Sequence, residues 1–169
     1  NILTILLTVA LGIGCPLVPR PQSFSAVEEQ YVLTDDVVIS YDEAALPQAR
    51  LLQGELLHHL GVTSILMPAQ KKEVSGIILR EGPKNWGAEQ YALDMSSDKV
   101  IITANAKGGF VYGVMSFVQL ARLAQDKGGR IAVDCWNISD KPRYAWRGFM
   151  LDEARHFWGK KKVKQLFRK

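Results

Sequence analysis

The chain is 169 residues long, 47% hydrophobic and 22% charged, with a formal net charge of +4. That is enough apolar material for one ordinary domain with a core, and too much for a disordered chain. The small basic excess includes the Lys160-Lys161-Lys162 run, which reads as a solvated helix face; without a basic stripe interleaved with aromatics, nucleic acid is excluded as the expected partner.

The first element is NILTILLTVALGIGC, an apolar run that ends in small residues and meets a Cys and a Pro. It is shorter than the ~20 apolar residues that span a bilayer. It fits the apolar region of a secretory signal whose basic start is missing, against the alternative of a buried strand or helix. Gly14 before Cys15 is similar to a bacterial lipoprotein cleavage box, although Gly12 stands where Leu is usual. Residues 1–15 are thus expected to be an export segment, with Cys15 the lipidation candidate. The mature protein would be periplasmic, anchored to the outer membrane or extracellular. The other cysteine, Cys135, lies in the strand-like run IAVDCW, where a small buried thiol is the ordinary explanation. Two cysteines and three scattered histidines do not make a metal site.

After the proline-punctuated PLVPRPQSFS, YVLTDDVVISY reads as two short strands around Asp35-Asp36. Asp42 is placed to cap a helix. Leu46, Ala49, Leu52, Leu56 and Leu60 then recur at helical spacing, and Gly61 is the natural stop. His58 and His59 fall in the last turn, where the helix dipole favours cations. VTSILMPA and SGIILREG are short, β-branched and bounded by Pro68 and Gly82, so both are predicted strands. EQYALDMSSDKVIITAN is a hairpin: Tyr91, Leu93 and Met95 alternate with polar neighbours, Ser-Ser-Asp turns, and Val100, Ile101 and Ile102 return. A second helix carries Phe110, Val114, Phe117, Val118 and Ala121 on one stripe and is expected to end at Gly128-Gly129. RIAVDCWNISD is the last strand of this region. PRYAWRGFMLDEARHFWGKKK reads as a buried strand, a polar loop and a helix start. Residues 16–141 are therefore expected to form a two-layer α+β domain, with a mainly antiparallel sheet covered on one face by two helices.

Two stretches suggest chemistry. VIITANAKGGFVYGV is a strand, a glycine loop and a helix, as in phosphate cradles, but it has neither G-x-G-x-x-G nor the Lys-Ser/Thr of a P-loop. Its strand pairs in a hairpin, so no βαβ unit is expected. Asp152-Glu153 is a pair of adjacent carboxylates; on a strand they would point to opposite sides and not converge on one bond.

Tyr91, Leu93, Val100, Ile102, Ala104, Gly109, Tyr112, Gly113, Gln119 and Leu120 fall in a pattern of two strands and a Gly-x-x-Tyr-Gly helix. That pattern resembles the non-catalytic N-terminal domain of family 20 glycoside hydrolases, the β-N-acetylhexosaminidases. DKPRYAWRGFMLDEARHF resembles the same family's junction and first barrel strand. The resemblance covers about residues 16–169. It implies that residues 142–169 start a (β/α)8 catalytic barrel, as the first β/α unit of a truncated TIM barrel, with Lys160 onward its first helix. It implies further that Arg147 hydrogen-bonds the hydroxyls of a terminal amino sugar, a task that suits the planar guanidinium fork. The alternative for Arg147 is a structural salt bridge. Asp152, Arg155 and His156 match the motif and would brace the site.

By the same resemblance the substrate is a glycan with terminal N-acetylhexosamine, and no metal or organic cofactor is needed. The sugar's own acetamido oxygen would be the nucleophile in a retaining hydrolysis. An Asp-Glu pair after the fourth barrel strand would orient it and protonate the leaving oxygen. Asp152-Glu153 is not that pair, so this chain alone is expected to be inactive. A second reading is a stand-alone glycan- or partner-binding module, which exposed aromatics on one sheet face would mark; Trp86 is the loop candidate. Trp146, Phe149, Met150 and Leu151, lacking barrel partners, are expected to fold back on the domain or pair with another copy.

Overall fold

A computed structural model describes residues 14–70, 75–125, 128–152, 154–155 and 157–166. Most of the apolar leader, Glu153 and His156 lie outside them.

Both amphipathic stripes become helices. α1 (Leu46–Leu60) buries Ala49, Leu52, Leu56 and Leu60, and Gly61 ends it in the left-handed conformation at φ 71°. Asp42 does not cap it. Its Oδ2 instead accepts the Glu81 N–H at 2.7 Å, which ties the helix approach to the end of a neighbouring strand. α2 (Lys107–Ala124) buries Phe110, Val114, Phe117, Val118 and Ala121. It stops before the expected Gly128-Gly129.

The strands are β1 (Ser23–Leu33), β2 (Val37–Tyr41), β3 (Ser64–Pro68), β4 (Gly76–Glu81), β5 (Tyr91–Met95), β6 (Lys99–Ala104) and β7 (Ile131–Asp140). They form one sheet in the order β1-β7-β5-β6-β4-β2-β3. The predicted hairpin is β5–β6, with Leu93 opposite Ile102. The expectation of a mainly antiparallel sheet is corrected. β1–β7, β7–β5 and β5–β6 are antiparallel, but β6–β4, β4–β2 and β2–β3 are parallel, so the sheet is evenly mixed. Within the parallel half, β2 and β3 run the same way because α1 carries the chain from one back to the start of the other as a βαβ crossover. Around α2, too, β6 and β7 run parallel with β5 between them. The absence of a βαβ unit there therefore holds for adjacent strands only.

β1 is longer than the sequence suggested, because a register shift between Val27 and Gln30 breaks its alternation. β1 and β2 lie five strand spacings apart in the sheet order, yet only three residues join them. Four residue steps reach at most ~14 Å. Five spacings in a flat sheet are ~24 Å. The β1–β7 ribbon must therefore curl out of the plane. Its far half, Ile131–Asp134, pairs with β1 and not with β5. That half wraps under α2, where Tyr31 meets Phe117 edge to face at 6.3 Å.

Two glycines let α2 lie close on the sheet. A Cβ on Gly113 would stand 2.6 Å from Ile102 Cγ2, and one on Gly109 would collide with the Gln90 carbonyl. Each close approach requires the missing side chain.

Beyond β7 the expected strand at Arg147–Asp152 is absent: residues 141–152 run without helix or strand. A strand is held by its ladder partners, and among the described residues no strand pairs with the segment. α3 (Lys160–Leu166) does form where the first barrel helix was expected.

Candidate functional site

The outer face of α2 is where the segment entering β1 and the segment leaving β7 meet. On one side, residues 17–22 run past the helix. The Gln119 side-chain amide accepts the Val18 N–H at 3.1 Å and donates to the Val18 carbonyl at 3.3 Å. On the other side comes the chain leaving β7. Gln22 N–H donates to Asp140 Oδ1 at 3.0 Å and Gln22 Nε2 to the Lys141 carbonyl at 2.6 Å, so the two segments are cross-tied. Between them lies a groove of about 1020 Å³, lined by Leu17, Pro19, Tyr112, Met115, Leu123 and Tyr144 among others. Tyr112, Met115 and Leu123 are exposed and share one stripe of α2.

A three-residue hydrogen-bonded ring closes one end of this groove. Arg147 Nη2 meets Glu89 Oε1 at 2.5 Å and donates to the Tyr112 hydroxyl at 3.1 Å, and that hydroxyl donates to the same Glu89 oxygen at 2.8 Å. Arg147 Nη1 donates to the Tyr144 carbonyl at 2.7 Å. The Glu89 carboxyl is held below its ordinary value, first by the Tyr112 O–H and then by Arg147. The same ring raises the Tyr112 hydroxyl and the Arg147 guanidinium above theirs, Glu89 being the leading cause for both.

The elements carrying the ring are fixed. Glu89 sits in the loop between β4 and β5. Asn105 Nδ2 donates to the Lys84 and Trp86 carbonyls of that loop at 3.2 and 3.1 Å. The Gly109 N–H, in the first turn of α2, donates to the Ala88 carbonyl at 3.1 Å. Tyr112 stands one turn further along the helix. Beneath it the Tyr91 hydroxyl bonds the Ser116 hydroxyl at 2.7 Å, and burial pushes the Tyr91 phenol up to about 12.

The other expected residues fall elsewhere. Asp152 Oδ1 accepts the Ala154 and Arg155 N–H groups at 3.0 and 3.3 Å, and Oδ2 accepts Arg155 Nε at 2.6 Å. The Arg155 side chain is the first cause, ahead of those backbone bonds, that lowers the Asp152 carboxyl. No hydrogen bond or ion pair joins Arg147 to Asp152 or Arg155. His156 lies outside the described residues. Cys15 is half-buried against the core and unpaired, and Cys135 is fully buried, so neither is in a disulfide. Among the described residues no group of three His, Cys, Asp or Glu side chains could hold a metal ion.

Sequence reasoning named Arg147 and quoted Tyr112 within its helix pattern, but missed Glu89. Nothing in the loop GPKNWGAEQ distinguishes that carboxylate, which acquires its role only when α2 and the junction are brought together.

Comparison with known proteins adds to this geometry. The model of glycosyl hydrolase family 20, domain 2, matches residues 14–141, and that of the family 20 catalytic domain matches residues 144–168. A beta-hexosaminidase of Vibrio furnissii is 31% identical over 154 residues, 89% of this chain and 23% of its own length. A beta-N-acetylhexosaminidase of Cellulomonas fimi is 28% identical over 146 residues, 84% of this chain and 29% of its own. A mutant Streptomyces plicatus beta-hexosaminidase in complex with its product GlcNAc superposes with a TM-score of 0.72 at 31% identity. It covers 90% of this chain, which spans 31% of that structure. The chain is thus similar to a quarter to a third of these longer proteins.

Proposed function

The chain belongs to glycosyl hydrolase family 20, and on that footing we propose that it is the N-terminal, non-catalytic part of an exported β-N-acetylhexosaminidase together with the opening of its catalytic domain. The observation that carries this is the pair of family matches in tandem, 14–141 and 144–168, over a fold that follows solved hexosaminidases. In this reading the accessory domain is residues 16–141, and residues 142–169 begin the catalytic barrel. The parent protein removes terminal N-acetylhexosamine from glycans by substrate-assisted retaining hydrolysis, with no metal or organic cofactor.

The residues of this chain prepare that chemistry without performing it. Asp152 and Arg155, joined by their side chains, brace the loop that follows the first catalytic segment, and the resemblance gives His156 the same supporting role. A sugar-gripping Arg147 would first have to give up Glu89 and Tyr112, because both of its outer nitrogens are already engaged. Export rests on the sequence of residues 1–15. Lipidation at Cys15 would require the half-buried thiol to leave the core it packs against. Trp146, Phe149 and Met150, all exposed, support self-association of the isolated chain. The binding-module reading gains nothing, since among the described residues the exposed aromatics lie on α2 and in the junction, none on a strand.

The test is the protein that carries this chain joined to a complete catalytic domain, assayed for release of N-acetylglucosamine from a chromogenic β-N-acetylglucosaminide. Turnover that an Asp-Glu substitution in the downstream pair abolishes is expected. A folded protein without turnover on any terminal N-acetylhexosaminide overturns the reading.

A further inference from the structure

We draw no further inference here: the strongest candidate, the apolar surface at the sheet's edge where Leu57 of α1 and Ile65 of the edge strand β3 stand exposed, carries nothing, because nothing in the structure shows what covers it.

Discussion

Replacing Phe117 with Ala tests whether the helix stripe is the core that joins the two halves of the sheet. Phe117 is completely buried and meets the Tyr31 ring edge to face at 6.3 Å, so it bridges α2 to the curled β1–β7 ribbon. Truncating a buried phenylalanine costs ~3–5 kcal/mol, since the cavity adds to the lost transfer energy. Part of that is the aromatic pair, itself ~0.5–1.5 kcal/mol beyond area burial. For a domain of roughly 130 residues each kcal/mol moves the midpoint by about 3–5 °C, so a fall of ~10–20 °C is expected. Phe149→Ala is the control. That ring is 76% exposed, and surface substitutions stay within about 0.5 kcal/mol. Thermal melts followed by far-ultraviolet circular dichroism compare the two. Equal shifts, or a larger one for Phe149→Ala, would refute the assignment of core and surface.

Gly113→Ala should cost ~1–3 kcal/mol in urea unfolding, because overpacking forces α2 off the sheet; the new Cβ would meet Ile102. Gly54→Ala, on the exposed side of α1 with open space around it, should instead stabilise by ~0.5–1 kcal/mol through helix propensity. Acid should loosen the junction. Glu89 has a lowered carboxyl, so its contribution is complete above the ordinary carboxylate range of ~4.3 and is lost as pH falls through the lower folded value. A Trp146 signal should therefore hold steady from neutrality to about pH 5 and change only below ~4; a transition centred near neutrality would contradict this. The 169-residue chain alone should not hydrolyse a chromogenic N-acetylglucosaminide, and turnover clearly above blank would point to an unrecognised acid.

What was legible in the sequence follows from how local each signal is. Leu52 and Leu56 declare α1, and Phe110, Val114 and Phe117 declare α2, because a stripe at helical spacing needs no knowledge of its partner. The β5–β6 hairpin is legible for the same reason: its turn and both strands lie within about twenty residues. Strand order is not local. Nothing near Ile39 or Leu66 states that β2 and β3 run parallel, since α1 sets that direction. The start of β1 was hidden by Glu28-Glu29 at the register shift, where alternation lapses. At the candidate site, Arg147 stood out through its pattern, yet its partner Glu89 lies 58 positions away on a loop with no pattern of its own. The strand expected at Arg147–Asp152 failed for a related reason: its apolar run is real, but hydrogen-bonding neighbours are what make a strand.

The pairing of β1 with β7 also has a consequence in time. Leu33 pairs with Ile131 and Ser23 with Ser139, so this edge of the sheet closes across separations of 98 and 116 residues. Contacts of that span are slow to form, because the loop must close before any bond repays it. On a ribosome moving at ~5–20 residues per second, β1 waits roughly 5–20 s for its partner to be made. Throughout that interval its unpaired edge is a template for other chains. The two carboxylates of Glu28-Glu29, set at the irregular point of the strand, are well placed to discourage such pairing until β7 arrives.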